Sequence, residues 1–130
     1  MAHYNIFISQ PFHGKSEREI LEERDRIEEV LHKLFPEDEL EFLSGYRSEM
    51  PVIPDDETRN RVYGLGRSIS LMAESDYVFF NHEWVMANGC SIESEICNRY
   101  SIPAIYERIR NGQASYDIFG LNRQKWEEVD

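Results

Sequence analysis

The stretch Tyr4-Asn5-Ile6-Phe7-Ile8-Ser9-Gln10-Pro11-Phe12-His13-Gly14-Lys15-Ser16-Glu17-Arg18-Glu19 decides the fold class. Ile6, Phe7 and Ile8 are consecutively apolar, which suits a strand covered on both faces, as in a parallel sheet. Pro11 and Gly14 then mark a loop. Ser16 and Glu19 stand at the capping-box spacing that satisfies free N–H groups at a helix start. Behind them Ile20, Ile27, Leu31 and Leu34 recur at helical spacing, so a helix runs to about Phe35, where Pro36 stops it.

The alternation continues along the chain. Residues 40–43 read as a second strand, and Asp76-Tyr77-Val78-Phe79-Phe80-Asn81 as a third. Between them, residues 45–61 form a long connection rich in Pro and Asp, of the kind that is usually functional or mobile. Val62, Leu65, Ile69 and Met72 follow as an amphipathic helix. Gly64 and Gly66 weaken that helix, or let another helix approach it closely. After a loop at 82–89, a helix over 90–100 should turn Ile92 and Ile96 inward. Residues 102–106 read as a fourth strand, 116–119 as a short fifth, and 123–129 as a frayed final helix. The expectation is a single α/β domain over residues 1–130: a three-layer open sheet of four to five mainly parallel strands, Rossmann- or flavodoxin-like. Ligands of such sheets bind beyond the carboxyl ends of the strands, at the switch in strand order.

Composition narrows the partners. Fourteen Lys and Arg against twenty-five Asp and Glu leave a net charge of −11 on 130 residues, which argues against binding a nucleic-acid polymer. Hydrophobic residues make up 41 % of the chain, too many for a disordered acidic tail. No apolar run approaches the ~20 residues that span a bilayer, and the polar start does not read as a signal peptide, so no membrane role is expected. Cys90 and Cys97 fall two turns apart on one expected helix, too far to bridge, which points to reduced thiols and a cytoplasmic location.

Three loops carry the candidate chemistry. The first, Ser9 to Ser16, runs from a strand end to a helix start; its free N–H groups suit a phosphate, with Gly14 allowing close approach and His13 or Lys15 adding charge. An ordinary capped turn would have the same pattern. The second is Asn88-Gly89-Cys90-Ser91-Ile92-Glu93-Ser94-Glu95. Glu93 falls about one turn into its helix, where the dipole should hold a carboxylate ionised. Such a carboxylate is a competent nucleophile for a sugar carbon, although a plain capping acid would stand there too. Glu95 lies about 200° further round, so at most one of the pair faces a cleft. In the third, Asn81-His82-Glu83-Trp84, the Trp84 ring could stack on a base or pack as a lid. The four histidines show no metal-ligand spacing, no metal or cofactor is expected, and Cys90 lacks an obvious histidine partner.

Together these loops resemble the nucleoside 2-deoxyribosyltransferase-like superfamily, in particular its small bacterial and phage branch. The resemblance spans residues 4–107 and rests on 6–15, on Leu65-Gly66-Arg67-Ser68-Ile69 with Ala73-Glu74-Ser75-Asp76, and on 89–95 running into 102–105. It implies that Glu93 attacks C1′ of a deoxyribosyl group and expels the base, with Gly89 before it and Asp76 contributing. It also implies that Phe12, His13 and Gly14 hold a 5′-phosphate, that the substrate is a nucleoside or its 5′-monophosphate, and that the chain forms a homodimer or larger homo-oligomer; with the loop readings, the expected substrate site comprises Ser9, Gln10, Phe12, His13, Gly14, Asn81, Trp84 and Gly89. Three positions depart from the superfamily's pattern: Glu95 replaces a small residue, Ala87 an Asp tied to base handling, and Phe7 a Tyr. Two rival readings remain, a TIR-like NAD glycohydrolase and a catalytically silent nucleotide-binding domain.

Overall fold

The opening stretch folds as its pattern requires in the computed structural model, which describes residues 1–46 and 54–120. Strand β1 (His3–Ser9) passes through a loop into helix α1 (Glu17–Leu34). The Ser16 hydroxyl accepts from the Glu19 N–H, and the Glu19 carboxylate accepts from the Ser16 N–H, each at 3.1 Å. Gly14 turns the chain between them at φ +77°, a conformation that glycine adopts without steric cost. Then follow β2 (Glu39–Leu43), α2 (Glu57–Ala73), β3 (Tyr77–Phe80), a 3-10 turn at Trp84–Met86, α3 (Asn88–Tyr100), β4 (Ala104–Arg110) and β5 (Gln113–Phe119).

The five strands form one sheet in the order β2-β1-β3-β4-β5. The pairs β1–β2, β1–β3 and β3–β4 are parallel, and β4–β5 is antiparallel. The fold is therefore α/β with a mostly parallel sheet. Strand side chains alternate between faces, and two apolar clusters follow from that alternation. Ile6, Ile8, Phe79 and Ile105 pack with Ile27 and Leu31 of α1. Phe7, Val78, Phe80 and Ala104 pack with Leu71 and Met72 of α2 and Cys97 of α3. The consecutive apolar residues of β1 are thus buried in both directions, as their sequence demands.

Three features differ from expectation. Helix α2 starts at Glu57 because the Asp56 side chain accepts from the Arg59 N–H and caps it, so part of the expected connection is helix. Strand β4 extends to Arg110 and β5 begins at Gln113, because Asn111 and Gly112 at φ 52° and 75° make a tight hairpin. Asn-Gly is the residue pair such a turn favours. On α3 the buried residues are Cys90, Glu93, Ser94 and Cys97, while Ile92 is exposed and only Ile96 packs on the core. The middle of the 45–61 connection and the expected final helix at 123–129 lie outside the described residues.

Candidate functional site

Ser9 closes β1 at the carboxyl edge of the sheet, where strand order reverses between β1 and β3. By alternation it shares the face of Phe7, beneath α2 and α3. Glu93 comes down onto it from α3, and the Ser9 hydroxyl donates to Glu93 Oε1 at 2.7 Å. Ser68 of α2, buried on the same side, also favours the charged form of this carboxyl group. Glu93 is only 6 % exposed.

Burial pushes the Glu93 carboxyl up to about 7, and the Ser9 and Ser68 hydroxyls offset only part of that. The expectation that the start of the helix would hold it ionised therefore fails: loss of water outweighs the dipole. Near neutral pH the group can exist in either form, which suits a nucleophile or a proton carrier. Glu95 points outward and pairs with Arg99. Burial also raises the Cys90 thiol to about 11, with a hydrogen bond from Ser9 pulling the other way, and raises Cys97 to about 12. Both stay protonated and free at neutral pH, so neither is an activated nucleophile.

Gln10 and Asn81 turn to the opposite face, toward α1. The Gln10 amide donates to the Ile20 carbonyl at 3.1 Å, and its Oε1 has no partner among the described residues. Asn81 donates to Glu23 and accepts from the Glu83 N–H. Its own N–H donates to the Ser9 carbonyl at 3.0 Å, which ties the first and third loops together. The Phe12 ring lies 5.2 Å from that of Tyr46. His13 is exposed, with Nδ1 2.6 Å from Arg61 Nη2; a guanidinium can only donate, so His13 accepts. Gly14 and Gly89 have open space where a side chain would project. Trp84 already packs on Phe80 and Tyr106, at ring distances of 5.9 and 5.3 Å.

Asp76 sits at the other end of the sheet. It precedes β3, its carboxylate accepts from the Asn5 N–H at 2.8 Å, and its own N–H donates to the Asn5 carbonyl. There it anchors β1 to β3. Thus Ser9 and Glu93 meet, Gly89 lies one turn from Glu93 on the same helix, and Asp76 does not join them.

A second polar group lies on the α1 side of the same edge. Glu107 of β4 is fully buried and takes two hydrogen bonds from Arg26, at 2.7 and 2.9 Å. Arg26 also holds Glu23 through two more. Burial alone would raise the Glu107 carboxyl, but Arg26 outweighs it and holds the group below its ordinary value. Glu23, His82 and Glu107 bring potential metal-ligating atoms within 4.8 Å of one another, yet Arg26 already occupies both carboxylates. Beside this group opens a pocket of about 360 Å³, lined in part by Lys15, Glu22, Arg26 and Glu83. A sequence signal for it existed: Glu107 stands two places after Ile105, on the inward phase of an apolar strand.

No protein-family model, no curated protein and no solved structure matches the chain.

Proposed function

We propose that this chain breaks or exchanges the N-glycosidic bond of nucleosides, deoxynucleosides or their 5′-monophosphates, with Glu93 as nucleophile. The observation that carries the reading is the Glu93 carboxyl group held 2.7 Å from the Ser9 hydroxyl, at the carboxyl edge beside the switch in strand order. In its ionised form the carboxylate attacks C1′, the bond to the base breaks, and the base leaves with the electron pair and takes up a proton. Water or a second base then attacks C1′ from the other side and frees Glu93. Gly14 and the capped start of α1 offer N–H groups to a 5′-phosphate. The strand order and the helix packing support a three-layer, flavodoxin-like arrangement. Exposed Val62 and Tyr63 on α2, Val85 and Met86 in the 3-10 turn, and Ile92 on α3 support a homo-oligomer. Two free thiols accord with a cytoplasmic location.

The test is a panel of nucleosides, deoxynucleosides and monophosphates incubated with the full chain, with base release followed by chromatography. Release that Glu93→Gln abolishes supports the reading; equal release by both proteins sinks it. One observation favours a second reading, a nucleotide-binding domain without turnover: Glu93 is only 6 % exposed, so in this conformation little of it meets a substrate. Thermal stabilisation by a nucleotide with no product formed would decide for that reading.

A further inference from the structure

We propose that β5 is a docking edge for a second copy of this chain, with two β5 strands pairing antiparallel to join two sheets into one. The strand stands at the end of the sheet and pairs with β4 without a break from Ala104↔Phe119 to Arg110↔Gln113. On its other side no strand of the described residues meets it, so alternate N–H and C=O groups point outward. Proteins that remain single usually blunt such an edge with Lys, Pro or a bulge. The run Gln113-Ala114-Ser115-Tyr116-Asp117-Ile118-Phe119 has neither Lys nor Pro, and its ladder to β4 has no bulge.

A second copy is the occupant because the strand complements itself. Pairing the whole strand with its equivalent puts the two-fold axis at its midpoint, Tyr116. Tyr116 then faces Tyr116 of the second copy, Ser115 faces Asp117, and Ala114 faces Ile118, with no like charges opposed. Ile109 and Ile118 are 43 % and 36 % exposed, and they share the α1 face of the hairpin with Ala114. Across the joint, Ile109 and Ala114 of one copy continue into Ile118 and Ile105 of the other, an apolar row that neither copy completes alone. Charge agrees with this. Within residues 104–119, Arg108 and Arg110 balance Glu107 and Asp117, so the edge is neutral in a chain of net charge −11. The opposite edge has the contrary character: the midpoint of β2 is Glu41, which the same pairing would set against its own equivalent.

The proposal stands or falls without reference to Glu93. Sedimentation of the full chain over a dilution series from micromolar to millimolar should show a reversible dimer. Hydrogen exchange within residues 113–119 should slow as that dimer forms. Ser115→Asp sets like charges against Asp117 at two symmetric points and should weaken the dimer about tenfold. Ser115→Lys, at the same exposed position, should strengthen it by a similar factor. Lys33→Gln on the exposed side of α1 changes the net charge by the same step as Ser115→Asp and should leave the dimer unchanged. A chain that stays monomeric throughout overturns the proposal, as does a dimer indifferent to both Ser115 substitutions. So does a dimer whose 113–119 amides exchange as fast as in the dilute protein, because the contact then lies on another face. Protection of those amides at every concentration overturns it too, since the chain then covers its own edge.

Discussion

Arg26 of α1 reaches across 81 positions of sequence to hold the fully buried Glu107 carboxylate of β4 with two hydrogen bonds, at 2.7 and 2.9 Å. Removing the guanidinium leaves a charge stranded in the interior. Arg26→Met should therefore destabilise the fold by about 3 kcal/mol, the low end for broken buried pairs because the Arg26 side chain is 37 % exposed. Urea unfolding at pH 7 measures this. Arg26→Met with Glu107→Leu should recover most of the loss, since no charge is then left behind. Glu107 has a lowered folded pKa, so its contribution is present above its ordinary 4.5 and fades as pH falls through the folded value. The single variant should lack that acid-dependent part.

Glu93 should have the opposite linkage. Its folded pKa of about 7 exceeds the ordinary 4.5, so the folded state binds the extra proton and stability falls as pH rises between those values. The 2.5-unit gap corresponds to a cost of about 3 kcal/mol once the carboxylate is ionised. Glu93→Gln removes that cost. The variant should gain on the wild type progressively from pH 5 to 7 and stay ahead above it, as paired urea titrations across that range would show.

If Glu93 acts as nucleophile, catalysis needs its ionised form. The kcat/KM for base release should rise tenfold per pH unit below about 7 and level off above it. Glu93→Gln should lose at least about 10³-fold in kcat, because the residual amide cannot form the glycosyl intermediate. A rate that falls as pH rises through the same value would instead mark Glu93 as a proton donor.

The two thiols should be silent in the folded protein. Cys90 and Cys97 are each 3 % exposed, and both titrate well above neutral pH. A colorimetric thiol reagent at pH 8 should modify neither within minutes, and both promptly in denaturant. Rapid reaction of either thiol in the native state would contradict the packing of α3 against the sheet.

Much of the fold was legible because its signals are local. The capping box at Ser16 and Glu19, the helical spacing of Ile27 and Leu31, and the unbroken Ile6-Phe7-Ile8 each report a neighbour one turn or one residue away. The Asn111-Gly112 turn was equally local, and it defines a hairpin wider than strand propensity indicates. The start of α2 was harder to place, because a single Asp56 cap outweighs the Pro- and Asp-rich context around it. On α3, polar and sulfur side chains face inward while Ile92 faces out, so the apolar spacing alone does not report which face is buried.

The candidate site divides in the same way. From its spacing alone, the sequence determined that at most one of Glu93 and Glu95 faces the sheet and that Ser9 ends a strand. Only the tertiary structure decided that Ser9 and Glu93 meet across 84 positions and that Asp76 stands at the far end of the sheet. It also raised the proton affinity of Glu93 above what the helix start implies. The reason is that periodicity and capping act between neighbours in the chain, whereas ionisation depends on how much water is removed and which donors arrive. Both of those are set by segments that come together only when the sheet closes.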